Sequence, residues 1–489
     1  MPGSRIDICP SDAYLALTRR RHFVAQTSQC ERPPGFLHET VTGVVVSAGA
    51  GGLRICDMYQ DVGSPRPLRR VAILARSLQP FAIAVALSVG LAIGHGLGMC
   101  GLPLLLPAML ADLGWTYWHA GLLAAATAAG YVSGLVLALA AGPRVPPGRV
   151  FQLALLVAAT ALIATGAARD VNSLVLLRFI SGLAAAALLV CGRRLAAAIY
   201  LYEPERSAKM IAIFDGGTAA GVVLAGAILP LMQQAMGNRA WPEMSFTLGL
   251  MGFASLPFVV WACGRIAVLA VGPAPTDWPW RRYAPVLAGY ALFSAGMFAI
   301  STFLVLRAVE QGGHVVAVLA LWTTFGLAGL LAPAFWQSMQ SQMSQGRMVA
   351  ATIGLAGAGA ALALVPGSPA LLVIAGAIMG FGAFMVPAAT ERLVRETLPR
   401  EIWRPASSGI MLVAGFSQPV GALVAGWIAL QTESLQAPML VATGAVCAGA
   451  LIALLQHAFP AGAPSATAPS APPSSATPSS AALGPPARS

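Results

Sequence analysis

The sequence predicts an all-α polytopic membrane protein: 12 transmembrane helices built as two pseudo-repeated six-helix bundles, with both termini cytoplasmic. Three observations carry this: too little charge for a soluble fold, twelve separate apolar runs, and short motifs that recur at one offset. Of 489 residues, 57% are hydrophobic and only 10% charged, with a mean hydropathy of +0.74. Soluble domains carry about 25% charged residues, so most of this surface faces lipid. The 52 Gly and 36 Pro fit the same setting, where neighbouring helices satisfy freed backbone groups and small side chains permit close packing.

A helix needs about 20 apolar residues to cross a hydrocarbon core of roughly 30 Å. Such runs cover 81–102, 119–141, 150–168, 172–192, 208–232, 244–264, 283–306, 315–336, 348–365, 369–390, 406–430 and 437–457. Cations are retained on the cytoplasmic side of short loops. One side holds Arg66, Arg69, Arg70, Arg76, Arg144, Arg149, Arg193, Arg194, Arg206, Lys209, Arg265, Arg281, Arg282, Arg347, Arg392, Arg395, Arg400 and Arg404; the other offers Arg169, Arg239 and Arg307. The net charge of +11 is therefore a topology signal and no nucleic-acid footprint. Trp115, Tyr117 and Trp118, and then Trp278, Trp280 and Tyr283, read as interfacial anchors.

The halves repeat. Gly148-Arg149 between helices two and three is echoed by Gly346-Arg347 between eight and nine, and Gly182 in helix four by Gly380 in helix ten, both at an offset of 198. Gly221 and Gly226 in helix five match Gly421 and Gly426 in helix eleven at 200. With Gly217 and Gly415 these glycines are expected to let helices approach closely. The organisation is then a cytoplasmic extension over 1–78, a first bundle over 79–264, a cytoplasmic linker over 265–282, a second bundle over 283–459 and an Ala/Pro/Ser/Thr tail over 460–489 with no core to bury. The compact basic lead-in from Met58 to Arg76 points to an over-long start, with Met58 the initiator. An intact mass beginning at Met1 overturns that expectation.

Several chemistries are excluded by motif. The single lysine, Lys209, lies between Ala208 and Met210, which is no phosphate-binding loop. Seven cysteines form no Cys-x-x-Cys pair, six histidines are scattered, and His38-Glu39 continues as Thr40-Val41-Thr42, so neither a metal cluster nor a hydrolase motif is present. No enzyme activity and no cofactor are expected.

The loop Gly142-Pro-Arg-Val-Pro-Pro-Gly148-Arg149 and the motif Arg178-Phe-Ile-Ser-Gly182, set in twelve helices, resemble the major facilitator superfamily. The loop lacks the acidic residue that usually precedes the basic pair in that family. Within it the chain is similar to the YbfB/YjiJ-type branch of bacterial permeases. That likeness rests on Leu104-Leu-Leu-Pro-Ala-Met109, Gly130-Tyr131-Val-Ser-Gly134, Tyr290 to Leu304, Trp322 to Trp336 and Gln418-Pro-Val-Gly421. Where the branch carries a Gly-Arg-Phe motif, this chain has Gly98-Met99-Cys100. The resemblance implies a central cavity lined by helices one, four, seven and ten.

Ionisable groups inside a membrane are functional candidates by default. At 1.5 Å per residue, His95 and Arg178 each fall about 9 Å below the outer edge, in one layer, and the resemblance lets both point into the cavity. An imidazole titrating near 6.5 suits proton coupling. The competing reading of His95 is packing, and that of Arg178 is snorkelling to the interface. Asp215 is expected to pair with Arg193 or Arg194, or to relay protons. Glu391 and Arg392 are read as a gating pair or as a solvated loop start. Tyr131, Tyr290, Ser294, Thr302 and Gln418 are polar groups on apolar helices, suited to orienting a ligand or to bonding between helices.

These residues suggest a secondary active transporter in a bacterial inner membrane. It would move a small solute by alternating access, with protons as the coupling ion and the bilayer as its setting, and work as a monomer. A transporter-like sensor or assembly protein without transport activity is the rival reading.

Overall fold

The computed structural model describes residues 45–49, 52–56, 66–141, 145–266, 277–310, 315–340, 343–365 and 369–456. The tail over 460–489, Gly142, most of the 265–282 linker and the start at Met58 lie outside them. The chain divides into two units, Met1–Ala72 and Ile73–Ser489. In the first, Val45–Gly49 pairs antiparallel with Gly52–Cys56, Val45 opposite Cys56. This hairpin falls in the predicted extension, its two strands carrying β-prone Val and Ile.

The second unit is the membrane body. Among the described residues, twelve helices are long and apolar enough to span: Gln79–Leu113, Tyr117–Ala140, Pro147–Ala167, Val171–Ala198, Glu205–Met236, Trp241–Cys263, Trp280–Glu310, Val315–Trp336, Gly346–Leu364, Ala370–Thr397, Arg400–Thr432 and Gln436–Leu454. They are called helices one to twelve. Large apolar side chains such as Leu153, Phe258 and Leu451 are exposed on the outside, as a lipid-facing belt requires.

Helices one and ten are longer than the apolar runs predict because each is broken. In helix one, Arg66–Leu91 passes into a π-turn over Ala92–Leu97, then a non-helical turn, then Leu102–Leu113. The Gly98 and Cys100 amides donate five residues back, to Ile93 O at 2.8 Å and His95 O at 3.1 Å. Glycine is required here: a Cβ on Gly98 would lie 2.6 Å from Gly94 O, and one on Gly101 2.2 Å from Leu97 O. Helix ten breaks between Pro369–Ala383 and Val386–Thr397. Pro387, lacking an N–H and clashing with the carbonyl four residues back, accounts for that break.

The repeat read from the sequence is a repeat of contacts. A Cβ on Gly182 would lie 1.9 Å from Thr127 O, and one on Gly380 2.3 Å from Phe325 O; the partners share the offset of 198. Helix four thus seats on helix two as ten seats on eight. Likewise Gly221 meets Ala92 O of helix one at 2.3 Å, and Gly421 meets Ala295 O of helix seven at 2.1 Å. Two glycine seams join the halves: Gly226 against Thr323 N at 2.8 Å, helix five on eight, and Gly121 against Gly426 Cα at 2.8 Å, helix two on eleven. Gly217 abuts Ser88 O at 2.3 Å, whereas Gly415 meets only the Val132 and Leu135 side chains.

Two expectations about surface groups change. Tyr283 is buried, its hydroxyl 2.7 Å from Thr397 Oγ1, so it is core and no interfacial anchor. Arg307, counted as a loop cation, is buried and donates to Leu364 O at 3.1 Å, closing the end of helix nine. Arg169 treats helix three alike, reaching Gly166 O at 3.4 Å. Cations favour helix C-termini, where carbonyls lack partners. In the loop between them, Asp170 caps helix four by accepting from Ser173 N at 2.9 Å. That hydrogen bond holds its carboxyl below the usual range.

Candidate cavity between the two halves

A cavity of about 1940 Å³ lies between the bundles. Its lining runs from the cation-rich end, where Arg193, Leu201, Glu391, Arg395 and Arg404 stand, to Ala124, Thr302 and Trp322. Beyond them the opposite end is closed. There Gly121 and Gly426 bring helices two and eleven into backbone contact, and the Tyr117 hydroxyl of the first half donates to a Glu310 carboxylate oxygen of the second.

His95, Tyr131, Tyr290, Ser294, Thr302 and Gln418 all line this cavity. The π-turn of helix one aims His95 at helices two and five, with Nδ1 3.3 Å from Thr218 Oγ1 and its ring 5.6 Å from the Tyr131 ring. Tyr290 stacks on Phe293 at 5.9 Å. Thr302 donates to Phe298 O at 2.7 Å, so its hydroxyl is spent within helix seven. The Gln418 Oε1 atom is buried without a partner among the described residues.

Asp215 pairs with Arg193, not Arg194, at 2.8 Å, each side chain about a third exposed (34% and 33%). Both line the cavity. Glu391 and Arg392 do not meet. Neighbours on a helix point about 100° apart, so each finds a partner four residues on: Glu391 with Arg395 at 3.1 Å and Arg392 with Glu396 at 2.5 Å. Glu391 also accepts from Ser407 Oγ at 2.6 Å, tying helix ten to eleven. At the loop motif, Gly148 comes within 3.4 Å of Cys263 Cβ, counted from the position of an added Cβ. Arg149 is exposed.

Arg178 does not line the cavity, contrary to the expectation that it shares an inward face with His95. It is 1% exposed, and Nη1 donates to Gly98 O at 3.3 Å. Its guanidinium therefore sits on the carbonyl end of the first half of broken helix one. Nε and Nη2 have no partner among the described residues. At 1% exposure it does not snorkel.

The sequence reading missed Thr218, the rings of Phe293, Phe325 and Phe384 beside Tyr290, and the Tyr117 to Glu310 contact. Thr218 was legible: it stands three residues after Asp215, on the same helix face. The Glu310 contact joins residues 193 apart and leaves no local signal.

The comparisons with known proteins agree with this architecture. A family profile described as "Uncharacterised MFS-type transporter YbfB" matches residues 91–454. A search of curated proteins returned no match. Among solved structures, a mutant of the nucleoside transporter NupG superposes with a TM-score of 0.62 at 15% identity, covering 76% of this chain and 99% of that one. A bacterial homologue of the human lysosomal transporter Spinster, inward-facing and unoccupied, gives 0.55 at 12% identity, covering 81% and 95%. At such identities the likeness shows the fold alone. The family profile spans most of the chain, including both bundles and the cavity between them, and the protein is a multi-pass member of the YbfB-type family of major facilitator superfamily transporters.

Proposed function

We propose that this protein is a secondary active transporter of a small solute, seated in a bacterial inner membrane with both termini cytoplasmic, working as a monomer by alternating access and driven by protons. The observation that carries the reading is the cavity between two pseudo-symmetric halves, reaching one end only. A path lined from both halves and shut at one end is what a rocking transporter needs, with the site near mid-membrane. The end it reaches carries Arg193, Arg194, Arg392, Arg395 and Arg404, the side the positive-inside rule makes cytoplasmic. This is therefore the inward-open state.

Spin-label distances test the cycle without a known substrate. One pair, at Tyr202 and Glu401, spans the open end; a second, at Arg239 and Glu433, spans the closed end. Alternating access gives two populations at each end, changing in opposite senses. A single fixed distance at both ends sinks the reading.

His95 is the proton-handling candidate. It faces Thr218 on helix five and Tyr131 on helix two, with the Arg193–Asp215 pair on the same cavity wall. An imidazole is the side chain whose charge changes between about pH 5 and 8. In wild type the inward-to-outward ratio should shift across that range, and His95→Gln should flatten the shift at least several-fold while both populations persist. An unchanged pH profile in His95→Gln removes His95 from the coupling.

A further inference from the structure

The two walls of the cavity differ in chemistry. The second half supplies rings from four helices: Tyr290, Phe293 and Phe298 from seven, Trp322 and Phe325 from eight, Phe384 from ten and, toward the open end, Trp403 from eleven. Trp322 and Phe325 lie 5.7 Å apart, and Phe325 and Phe384 5.2 Å, centroid to centroid, so one aromatic strip continues across two helices. Met297 adds a soft, polarizable thioether beside them. The facing wall is mostly aliphatic, alanines such as Ala124, Ala212 and Ala219 alternating with Leu189, Ile211 and Met99, and its aromatic groups are His95 and Tyr131. Rings concentrated on one wall, opposite an aliphatic one, favour an occupant with a flat aromatic face turned to the second half.

Charge narrows the occupant further. The carboxylates on the wall are each paired: Asp215 with Arg193, Glu391 with Arg395, Glu396 with Arg392. These pairs, with Arg194 and Arg404, stand toward the open end. Deeper in, the groups beside the rings are neutral hydroxyls, an amide and one imidazole. With His95 neutral, an ion moved there would shed its water without meeting an opposite charge, which is strongly unfavourable. A neutral ring keeps its stacking energy and asks only for hydrogen bonds at its edge. The Tyr131 and Tyr290 hydroxyls have no hydrogen-bond partner among the described residues, and the His95 ring nitrogen that does not face Thr218 is likewise unused.

We propose that the solute is an uncharged, planar aromatic compound that stacks on the ring strip of the second half and is held at its polar edge by His95 and Tyr131 of the first. This rests on the transporter reading above. It divides the labour: one half recognises the ring and the other senses its edge, so a bound solute bridges the surfaces that must close on each other.

The test is a binding screen on the purified full chain, reading the thermal midpoint and intrinsic tryptophan quenching. The probes are indole and caffeine as neutral planar rings, glucose as a neutral polyol, decanol as a neutral flexible chain, and benzoate and tetraphenylphosphonium as charged rings. Indole or caffeine should raise the midpoint and the other four should not. Phe325→Ala and Phe384→Ala should each weaken that binding roughly tenfold, in line with stacking of one ring on another. Phe325→Leu, which keeps the apolar volume, covers the case in which alanine variants fail to fold and should weaken binding too. Binding of glucose, of a charged probe, or of decanol as tight as that of the rings overturns the proposal. So does the failure of both neutral rings to bind. If the two distance pairs still interconvert in any of those cases, only the solute class is lost; if they are fixed, the transporter reading falls with it.

Discussion

Arg178→Met should leave the protein at least as thermally stable as wild type and stop it from cycling. The guanidinium is 1% exposed, makes one hydrogen bond of 3.3 Å, and has two nitrogens without partners among the described residues. Each buried, unsatisfied polar group costs about 1–3 kcal/mol, and the bond to Gly98 O returns about 1.5–3 kcal/mol. The unpaired nitrogens therefore outweigh the bond. Replacing a buried charge by an apolar side chain of similar volume is often neutral or stabilising, and methionine is the closest in shape. Loss of cycling is expected because the nitrogens without partners here are free to be used in another state. The free edges of Arg178 are the part to be used when helix one and helix four shift. The checks are the unfolding midpoint and the two spin-label distances. A fall in stability of more than about 2 kcal/mol, near the worth of one charged hydrogen bond, would show that Arg178 is simply a cap on the broken helix. Normal interconversion of both distances would refute the role in cycling.

The second large effect is expected at the seam of helices two and eleven. A Cβ on Gly121 would lie 2.8 Å from Gly426 Cα and 2.9 Å from Ala422 O. Both are backbone atoms, so no rotamer change relieves the clash. Gly121→Val should wedge the closed end apart and move the population to the outward-open state. Moving a two-state equilibrium from 1:99 to 99:1 takes about 5.5 kcal/mol, and overpacking of this kind costs typically 1–3 kcal/mol, so the shift is roughly 5- to 150-fold. Gly182→Val is the contrast. Its Cβ would meet Thr127 O at 1.9 Å inside one bundle, and no rocking of the halves relieves that, so this variant should not fold. Distances at the closed end that match wild type in Gly121→Val would show that the seam does not gate.

Much of the fold was legible because lipid imposes its own grammar. Length, apolarity and cation placement follow from the bilayer, and so twelve spans could be read one by one. The offset of 198 was legible too, since a glycine under a carbonyl tolerates no other residue, and Gly182 and Gly380 keep that mark. The breaks in helices one and ten were not read, although Gly98, Gly101 and Pro387 were in view, because glycine and proline are common in membrane helices that stay whole. The candidate residues fared unevenly for a physical reason. Position along a helix gives depth but not azimuth on a broken one. His95 and Arg178 share a layer, yet the π-turn sends His95 into the cavity while Arg178 meets the backbone at Gly98. Pairings such as Arg193 with Asp215 depend on which faces meet, and that becomes visible only with both helices in place.

The ion pairs around the open end have a consequence for how it moves. Arg193–Asp215 lies within the first half, and Glu391–Arg395 and Arg392–Glu396 within the second. Each wall of the vestibule keeps its carboxylates paired within itself, like a magnet fitted with its keeper, and Arg194 on the first and Arg404 on the second add a cation to each. The halves can part or draw near without stripping any of these three pairs of its counter-ion. The free energy of rocking then does not include the breaking of any of these pairs, and the backbone seams and the solute carry a correspondingly larger part of it.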